Sequence, residues 1–162
     1  MDKGFPFSWD ELASYAGRGR MKTLFDKISQ DRWTTIDNNG NTLLHYACFG
    51  NNQEVAQMLV NSGMLDPNAR NNYGATPLHE AAFHKAADMI PVLVSLGVDF
   101  SAKDESGYSA FDFAFMTLTG IRDTERVIYA LIDHGMPTSF VLQENERHLH
   151  FLVHEREHKL KG

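Results

Sequence analysis

The chain has 162 residues, of which 43% are hydrophobic and 11% aromatic; this composition supports one compact domain and excludes a disordered segment. Fifteen Lys and Arg against 21 Asp and Glu give a net charge of −6, which argues against a nucleic-acid partner. The lone cysteine, Cys48, cannot form an internal disulfide and favours a reducing, cytoplasmic location. The most apolar stretch, residues 89–98, is about half of a membrane span, so no membrane partner is expected.

The first predicted unit, residues 8–36, begins with a helix whose start is marked by a capping box. Ser8 and Glu11 have the spacing at which a hydroxyl and a carboxylate satisfy the free amides of a helix start. Residues 17–20 read G-R-G-R, but they lack the spacing of a phosphate-binding loop and fall where a first helix must turn into a second. We therefore predict a helix, a turn and a second helix.

The next three units, residues 37–70, 71–103 and 104–136, share a turn followed by a short helix. Their turn glycines are 34 and 33 residues apart, at Gly40, Gly74 and Gly107. An alanine follows seven residues after each glycine, at Ala47, Ala81 and Ala114, and the register runs back to Ala13. A pattern that recurs in register predicts a stack of helix pairs, in which each pair buries its apolar face against its neighbours.

Each unit continues with a second, longer helix. Apolar residues share one position of that helix, at Met21, Val55, Met89 and Val127. Apolar residues four positions later share the next turn of the same face, at Phe25, Leu59, Leu93 and Leu131. The predicted ends are Ser29 in the first unit and then Gly63, Gly97 and Gly135, since glycine just past the last apolar turn is the usual helix stop.

The fourth unit differs from its neighbours in two places. Ser109 and Asp112 stand where the second and third units have a threonine and a histidine. Thirteen residues separate Ala114 from Val127, against eight between the equivalent positions of the earlier units. This difference predicts a five-residue inserted loop near residues 118–122, which we expect to open first.

Residues 137–162 form a polar C-terminal segment. Leucines recur in it at near-heptad spacing, among them Leu142, Leu149 and Leu160. The spacing predicts an amphipathic helical cap or tail that follows a repeat domain of residues 1–136.

Two segments carry a longer motif. Residues 74–82 read G-x-T-P-L-H-x-A-A, and residues 40–48 read G-x-T-x-L-H-x-A-C. With these motifs the chain resembles the ankyrin repeat family over roughly residues 8–136. The resemblance implies an all-α fold, an α-solenoid of four helix pairs with short β-hairpin or turn tips. It also implies that His45 and His79 hydrogen-bond to the backbone of neighbouring units.

In such a solenoid the expected contact surface is concave and consists of the tips and the exposed side of each first helix. Large residues two positions after the core alanine form an apolar ladder with steps of 34, 34 and 33 residues: Tyr15, Phe49, Phe83 and Met116. We predict partner binding by this ladder together with the neighbouring residues Tyr73, His84, Glu105 and Tyr108, because aromatic residues dominate binding hot spots. Acidic residues flank the same face and favour a partner with basic character: Glu80, Asp104, Glu105 and Asp112. The alternative is that the ladder packs internally, against the next repeat or the tail.

The strongest signal for an enzyme is the H-E-x-x-H pattern of residues 154–158. On a helix, His154 and His158 share a face and could hold zinc, with Glu155 as general base. The segment is charged throughout, which favours a solvent-exposed helix, so we predict no catalytic residue, no metal and no cofactor. A surface metal stripe that includes His150 is the alternative.

These observations predict a non-enzymatic protein–protein interaction module that is a monomer when free. It would bind a protein partner through the concave surface, as an inhibitor, an immunity-type protein or an adaptor. A self-associating scaffold is the alternative, and a zinc-dependent hydrolase that uses residues 154–158 is a remote one.

Overall fold

The computed structural model of the chain describes residues 36–116 and 121–137, together with Glu11 and Thr34. These residues form three successive helix pairs, whose bounds are α1 (Leu43–Phe49), α2 (Gln53–Asn61), α3 (Pro77–Phe83), α4 (Met89–Ser95), α5 (Ala110–Phe115) and α6 (Ile121–Asp133). The first predicted unit and the C-terminal tail lie outside the described residues, except for Glu11, Thr34, Ile36 and Pro137.

The first helix of each pair is six or seven residues long, which is too short for a stable helix in water. Stability must therefore come from packing. Small residues allow the first helices to approach closely, and the alanines Ala47, Ala81 and Ala114 are completely buried. Helix α3 packs against both α1 and α5, so the first helices form one continuous layer.

The second helices lie beside that layer and add further large core residues, among them Leu59, Leu93 and Leu131. Val55, Met89 and Val127 are completely buried, as their shared position in the repeat predicts. The helix stops are also confirmed, because the backbone reaches positive φ at Gly63, Gly97 and Gly135.

The tips that precede the first helices are tight turns built on one acceptor side chain each. Oδ1 of Asn71 accepts hydrogen bonds from the amides of Tyr73 and Ala75, both at 3.0 Å. Asp37 and Asp104 hold the amides two and four residues further on in the same way. In the described residues the β-structure of the tips is limited to isolated bridges, Ile36 with Thr42 and Lys103 with Ser109. The predicted all-α solenoid with short tips is confirmed.

Successive tips are joined by one backbone hydrogen bond each. The Asn72 amide donates to the Asn39 carbonyl at 2.8 Å, and the Glu105 amide donates to the Tyr73 carbonyl at 2.9 Å. The close approach requires glycine in the earlier tip. A Cβ atom on Gly74 would lie 2.8 Å from the Glu105 nitrogen, and the φ of +75° is itself unfavourable for other residues.

The insertion in the fourth unit is only partly a loop. Residues 117–120 are outside the described part of the chain, but Ile121 and Arg122 belong to the first turn of α6. That helix has 13 residues, against nine in α2 and seven in α4. The prediction of a loop at residues 118–122 is wrong for its last two residues, because the added length extends the helix at its N-terminal end, where Asp123 interacts favourably with the helix dipole.

Among the described residues, no helix has both the length and the apolar composition needed to cross a membrane.

Candidate protein-interaction surface

Two tips are each fixed to the unit before them by one buried histidine. Nδ1 of His45 accepts the amide hydrogen of Thr42 at 3.1 Å, so the proton of the neutral ring lies on Nε2, which donates to the Ala75 carbonyl at 3.2 Å. Nδ1 of His79 accepts from Thr76, and its Nε2 donates to the Tyr108 carbonyl at 3.1 Å. Burial lowers the pKa of both rings and favours this neutral form. The role implied by the family resemblance is confirmed.

The fourth unit has a carboxylate at the same position. Oδ2 of Asp112 accepts hydrogen bonds from both the amide and the hydroxyl of Ser109 at 2.6 Å, which closes the capping box of α5. An ionised carboxylate has no hydrogen to donate to a following tip. Asp112 therefore stabilises the start of its own helix and does not provide the inter-unit bond that His45 and His79 form.

The predicted ladder lies at the C-terminal ends of the first helices. Phe49 and Phe83 are the last residues of α1 and α3, and Met116 caps α5. Phe49 is 37% exposed and Met116 is 44% exposed, whereas Phe83 is half-buried. Tyr15, the fourth member of the ladder, is outside the described residues.

His84 joins two steps of the ladder. Its ring centroid is 4.2 Å from that of Phe49 and 5.0 Å from that of Phe83, in edge-to-face arrangements. Its Nε2 atom is 3.5 Å from the Glu80 carboxylate one helical turn earlier. The alternative of internal packing thus holds in part, since these rings contact one another while Phe49 keeps an exposed side.

A second row of residues lies on the same helix face; the sequence reasoning named only Glu80 of this row, as an acidic neighbour of the ladder. Tyr46, Glu80 and Phe113 each precede a core alanine by one position, so they lie three residues before a ladder position, which on a helix is the same face. Phe113 contacts Phe83, with ring centroids 6.2 Å apart. The step of 34 and 33 residues was the signal that could have revealed this row. We call the two rows together the first-helix face.

The two rows border two grooves. Phe49, Tyr46 and Glu80 border the smaller one, together with Asn41 and His45. The larger groove, about 310 Å³, lies between successive tips and the first-helix face and brings together Asn71, Tyr73, Ala75, Glu80, Asp104, Glu105, Ser106 and Phe113. We call it the tip groove.

The tip residues predicted from sequence lie in different places. Tyr73, which is 61% exposed, and Glu105 both line the tip groove. Tyr108 is 45% exposed and follows the third tip glycine, but it is not among the residues that line either groove.

The candidates for chemistry add no catalytic site in the described residues. Cys48 is completely buried, and burial raises the pKa of its thiol well above the usual value, which disfavours the reactive thiolate. Within residues 36–116 and 121–137, no three His, Cys, Asp or Glu side chains are grouped so that they could hold a metal ion. The H-E-x-x-H segment, with His154, Glu155 and His158, lies outside the described residues.

Comparison with known proteins agrees with this architecture. The family model for ankyrin repeats (3 copies) matches residues 12–104, more than half of the chain. The chain belongs to the ankyrin repeat family, whose members are protein–protein interaction modules in general. The match ends at the start of the fourth unit, whose turn, helix pair and stop nevertheless have the same arrangement in the structure.

Similar proteins are much longer than this chain. It is 37% identical over 102 residues to neurogenic locus notch homolog protein 1 of Danio rerio, an alignment that covers 63% of this chain and 4% of that protein. It is 32% identical over 84 residues to the E3 ubiquitin-protein ligase KEG of Arabidopsis thaliana, covering 52% of this chain and 5% of the ligase. It is 35% identical over 71 residues to the human transient receptor potential cation channel subfamily A member 1, covering 44% of this chain and 6% of the channel subunit. The aligned stretch is a small part of each of these proteins, whose names describe different activities.

Proposed function

We propose that this chain binds a protein partner through its concave surface, that is, the first-helix face together with the tips. The observation that carries the proposal is the row of apolar side chains at one position of successive units, in which Phe49 and Met116 are exposed and Phe83 between them is half-buried. Tyr73 is exposed as well, in the tip groove beside the same face. Contiguous exposed apolar patches on folded proteins usually mark interaction sites. The proposal assigns the chain no catalytic activity.

The electrostatic character of this surface favours a partner with basic groups. Glu80, Asp104 and Glu105 lie beside the apolar rows, and the chain as a whole carries a net charge of −6. Opposite charges speed association and fix the orientation of the complex more than they add affinity. Binding of this kind suits an inhibitor, an immunity-type protein or an adaptor. A rigid, preformed surface loses little conformational entropy when it binds its partner.

Paired affinity capture tests the proposal. Wild-type protein and the Phe49→Ser/Met116→Ser variant serve as baits, because both side chains are partly exposed and their loss leaves the buried alanine layer intact. The matched control is Met58→Ser/Met64→Ser, which removes two side chains of similar exposure outside both grooves. Circular dichroism checks that all three proteins fold.

We expect a partner that wild type and the Met58/Met64 control retain and that the Phe49/Met116 variant loses. The Phe49→Ser/Phe83→Ser variant extends the test to the half-buried step of the ladder. Equal retention by all folded baits would show that the partner binds elsewhere, with the C-terminal segment as the next region to test.

A further inference from the structure

The tip groove combines two features: aromatic side chains and a set of acidic residues. Tyr73 and Phe113 contribute the aromatic surface, and every charged residue of the lining is acidic: Glu80, Asp104 and Glu105. The groove is also large enough, at about 310 Å³, for a single extended side chain to enter. We propose that the tip groove receives an arginine side chain of the bound protein. This inference rests on the proposed function and names the partner group for one place on that surface.

Charge decides between a neutral and a cationic occupant. Arg70 is a cation near the groove, whose guanidinium donates to the Lys103 carbonyl and approaches Gly74. One guanidinium against three carboxylates leaves the local charge negative. A cationic group that enters a groove lined by three acidic residues therefore gains electrostatic energy there that a neutral one does not.

Geometry favours a guanidinium over an ammonium group. The carboxylates belong to two elements, Glu80 on α3 and Asp104 and Glu105 on the third tip, and the aromatic residues line the same groove. Arginine has five donors in a planar fork and stacks readily on aromatic surfaces, so it can contact both elements at once. The ammonium group of lysine is a compact and more strongly hydrated charge, and it loses more hydration on entering a half-closed groove.

The groove is held in shape before any ligand binds. The Glu105 amide donates to the Tyr73 carbonyl at 2.9 Å, which fixes the distance between the two tips. Oδ1 of Asp104 accepts from the Tyr108 amide at 2.7 Å and thereby fixes the turn that carries Glu105. Preorganisation of this kind lowers the entropic cost of binding one side chain.

The test uses short blocked peptides and the full chain labelled with ¹⁵N. The probe is acetyl-Gly-Arg-Gly-amide; the controls replace arginine by lysine and by citrulline, the neutral isostere. We expect the arginine peptide to shift the amide signals of Tyr73, Glu105 and Ser106 and to saturate with a Kd on the order of 1 mM. The citrulline peptide should cause no saturable shift, and the lysine peptide should bind at least about threefold more weakly.

Isosteric variants assign the site. Glu80→Gln/Glu105→Gln should weaken arginine binding by at least about tenfold, as expected for loss of charge-assisted hydrogen bonds, and Tyr73→Ala by about threefold. Glu125→Gln removes the same charge on α6, outside the groove, and should leave the Kd unchanged. Shifts located elsewhere, equal binding of citrulline, equal binding of lysine, or an unchanged Kd in the double variant would overturn the assignment.

The peptide test and the capture test fail independently. If the arginine peptide does not bind but the Phe49/Met116 variant still loses its partner, the concave surface stands and the arginine site is wrong. If the peptide binds at the tip groove while the variant keeps its partner, the arginine site stands and the proposed function of the apolar rows is wrong.

Discussion

At the scale of single residues, the buried histidines are stabilised by bonds that require a neutral ring. Nδ1 of His45 is an acceptor and Nε2 is a donor, and His79 repeats this arrangement. A proton on Nδ1 would place an N–H group against the threonine amide and remove its acceptor. The uncharged state of these two side chains is therefore coupled to folding.

The pH dependence of folding follows from this coupling. Burial lowers the pKa of His45 and His79 below the usual 6.5, so at mildly acidic pH the unfolded chain binds protons that the folded chain does not. The two histidines thus favour folding fully above about pH 7, and their contribution is lost as the pH falls through 6.5 towards the folded-state pKa. We expect the urea midpoint to decrease from pH 7.5 to pH 5.5.

Nuclear magnetic resonance checks the cause of that decrease. The imidazole signals of His45 and His79 in the folded protein should titrate at a lower pH than those of a histidine in a short reference peptide. If both rings titrate at the same pH as the reference peptide, these two histidines are not the cause of the decrease, whatever the urea curves show.

At the scale of elements, the tips depend on contacts between units as well as on local turn chemistry. Gly74 and Gly63 have similar positive φ angles, +75° and +70°. A Cβ atom on Gly74 would meet the Glu105 nitrogen at 2.8 Å, whereas a Cβ atom on Gly63 would have open space within 4 Å. Comparing substitutions at these two glycines therefore separates the free-energy cost of the backbone angle from that of pushing two tips apart.

Alanine substitution at these glycines measures that difference. We expect Gly63→Ala to lower the free energy of unfolding by about 1 kcal/mol, the cost of a left-handed backbone for a residue with a Cβ atom. Gly74→Ala should cost at least about 2 kcal/mol, because it also strains the hydrogen bond between Glu105 and Tyr73. Urea unfolding of both variants gives the values; equal losses would mean that the tips tolerate separation without strain.

Sequence periodicity predicted the order and the ends of the described helices, but not every helix start and not the grooves between the elements. Gly63, Gly97 and Gly135 gave the helix stops, because a left-handed terminator is a local requirement. The start of α6 was predicted wrongly, since counting inserted residues cannot tell whether they form a loop or extend a helix. The acidic residues and Tyr73 were expected on this face, but the tip groove and the part of Phe113 in it escaped prediction, because the lining comes from two successive first helices and two tips. No single segment shows that juxtaposition.

At the scale of the whole molecule, the acidic charge and the partly exposed apolar rows have opposite effects on self-association. A net charge of −6 keeps copies apart, whereas exposed side chains such as Phe49 and Met116 favour contact. The carboxylates beside the apolar rows would face like charges in a symmetric dimer built on this surface, and that repulsion is unfavourable. We therefore expect the free protein to be a monomer.

Light scattering after gel filtration measures this directly. The expected mass is 18.3 kDa. A mass twice as large that returns to the monomer value in the Phe49→Ser/Met116→Ser variant would favour a self-associating scaffold in place of a binder of other proteins.

Two hydrogen bonds of the joint between units recur on both sides of residues 71–103. On one side His45 bonds to the Ala75 carbonyl and the Asn72 amide to the Asn39 carbonyl; on the other side His79 bonds to Tyr108 and the Glu105 amide to Tyr73. A duplicated copy of residues 71–103 would consequently find a matching joint at each end. Gene duplication or design can thus change the length of this protein in whole units, and each added unit would lengthen the proposed binding surface by one phenylalanine and one tip.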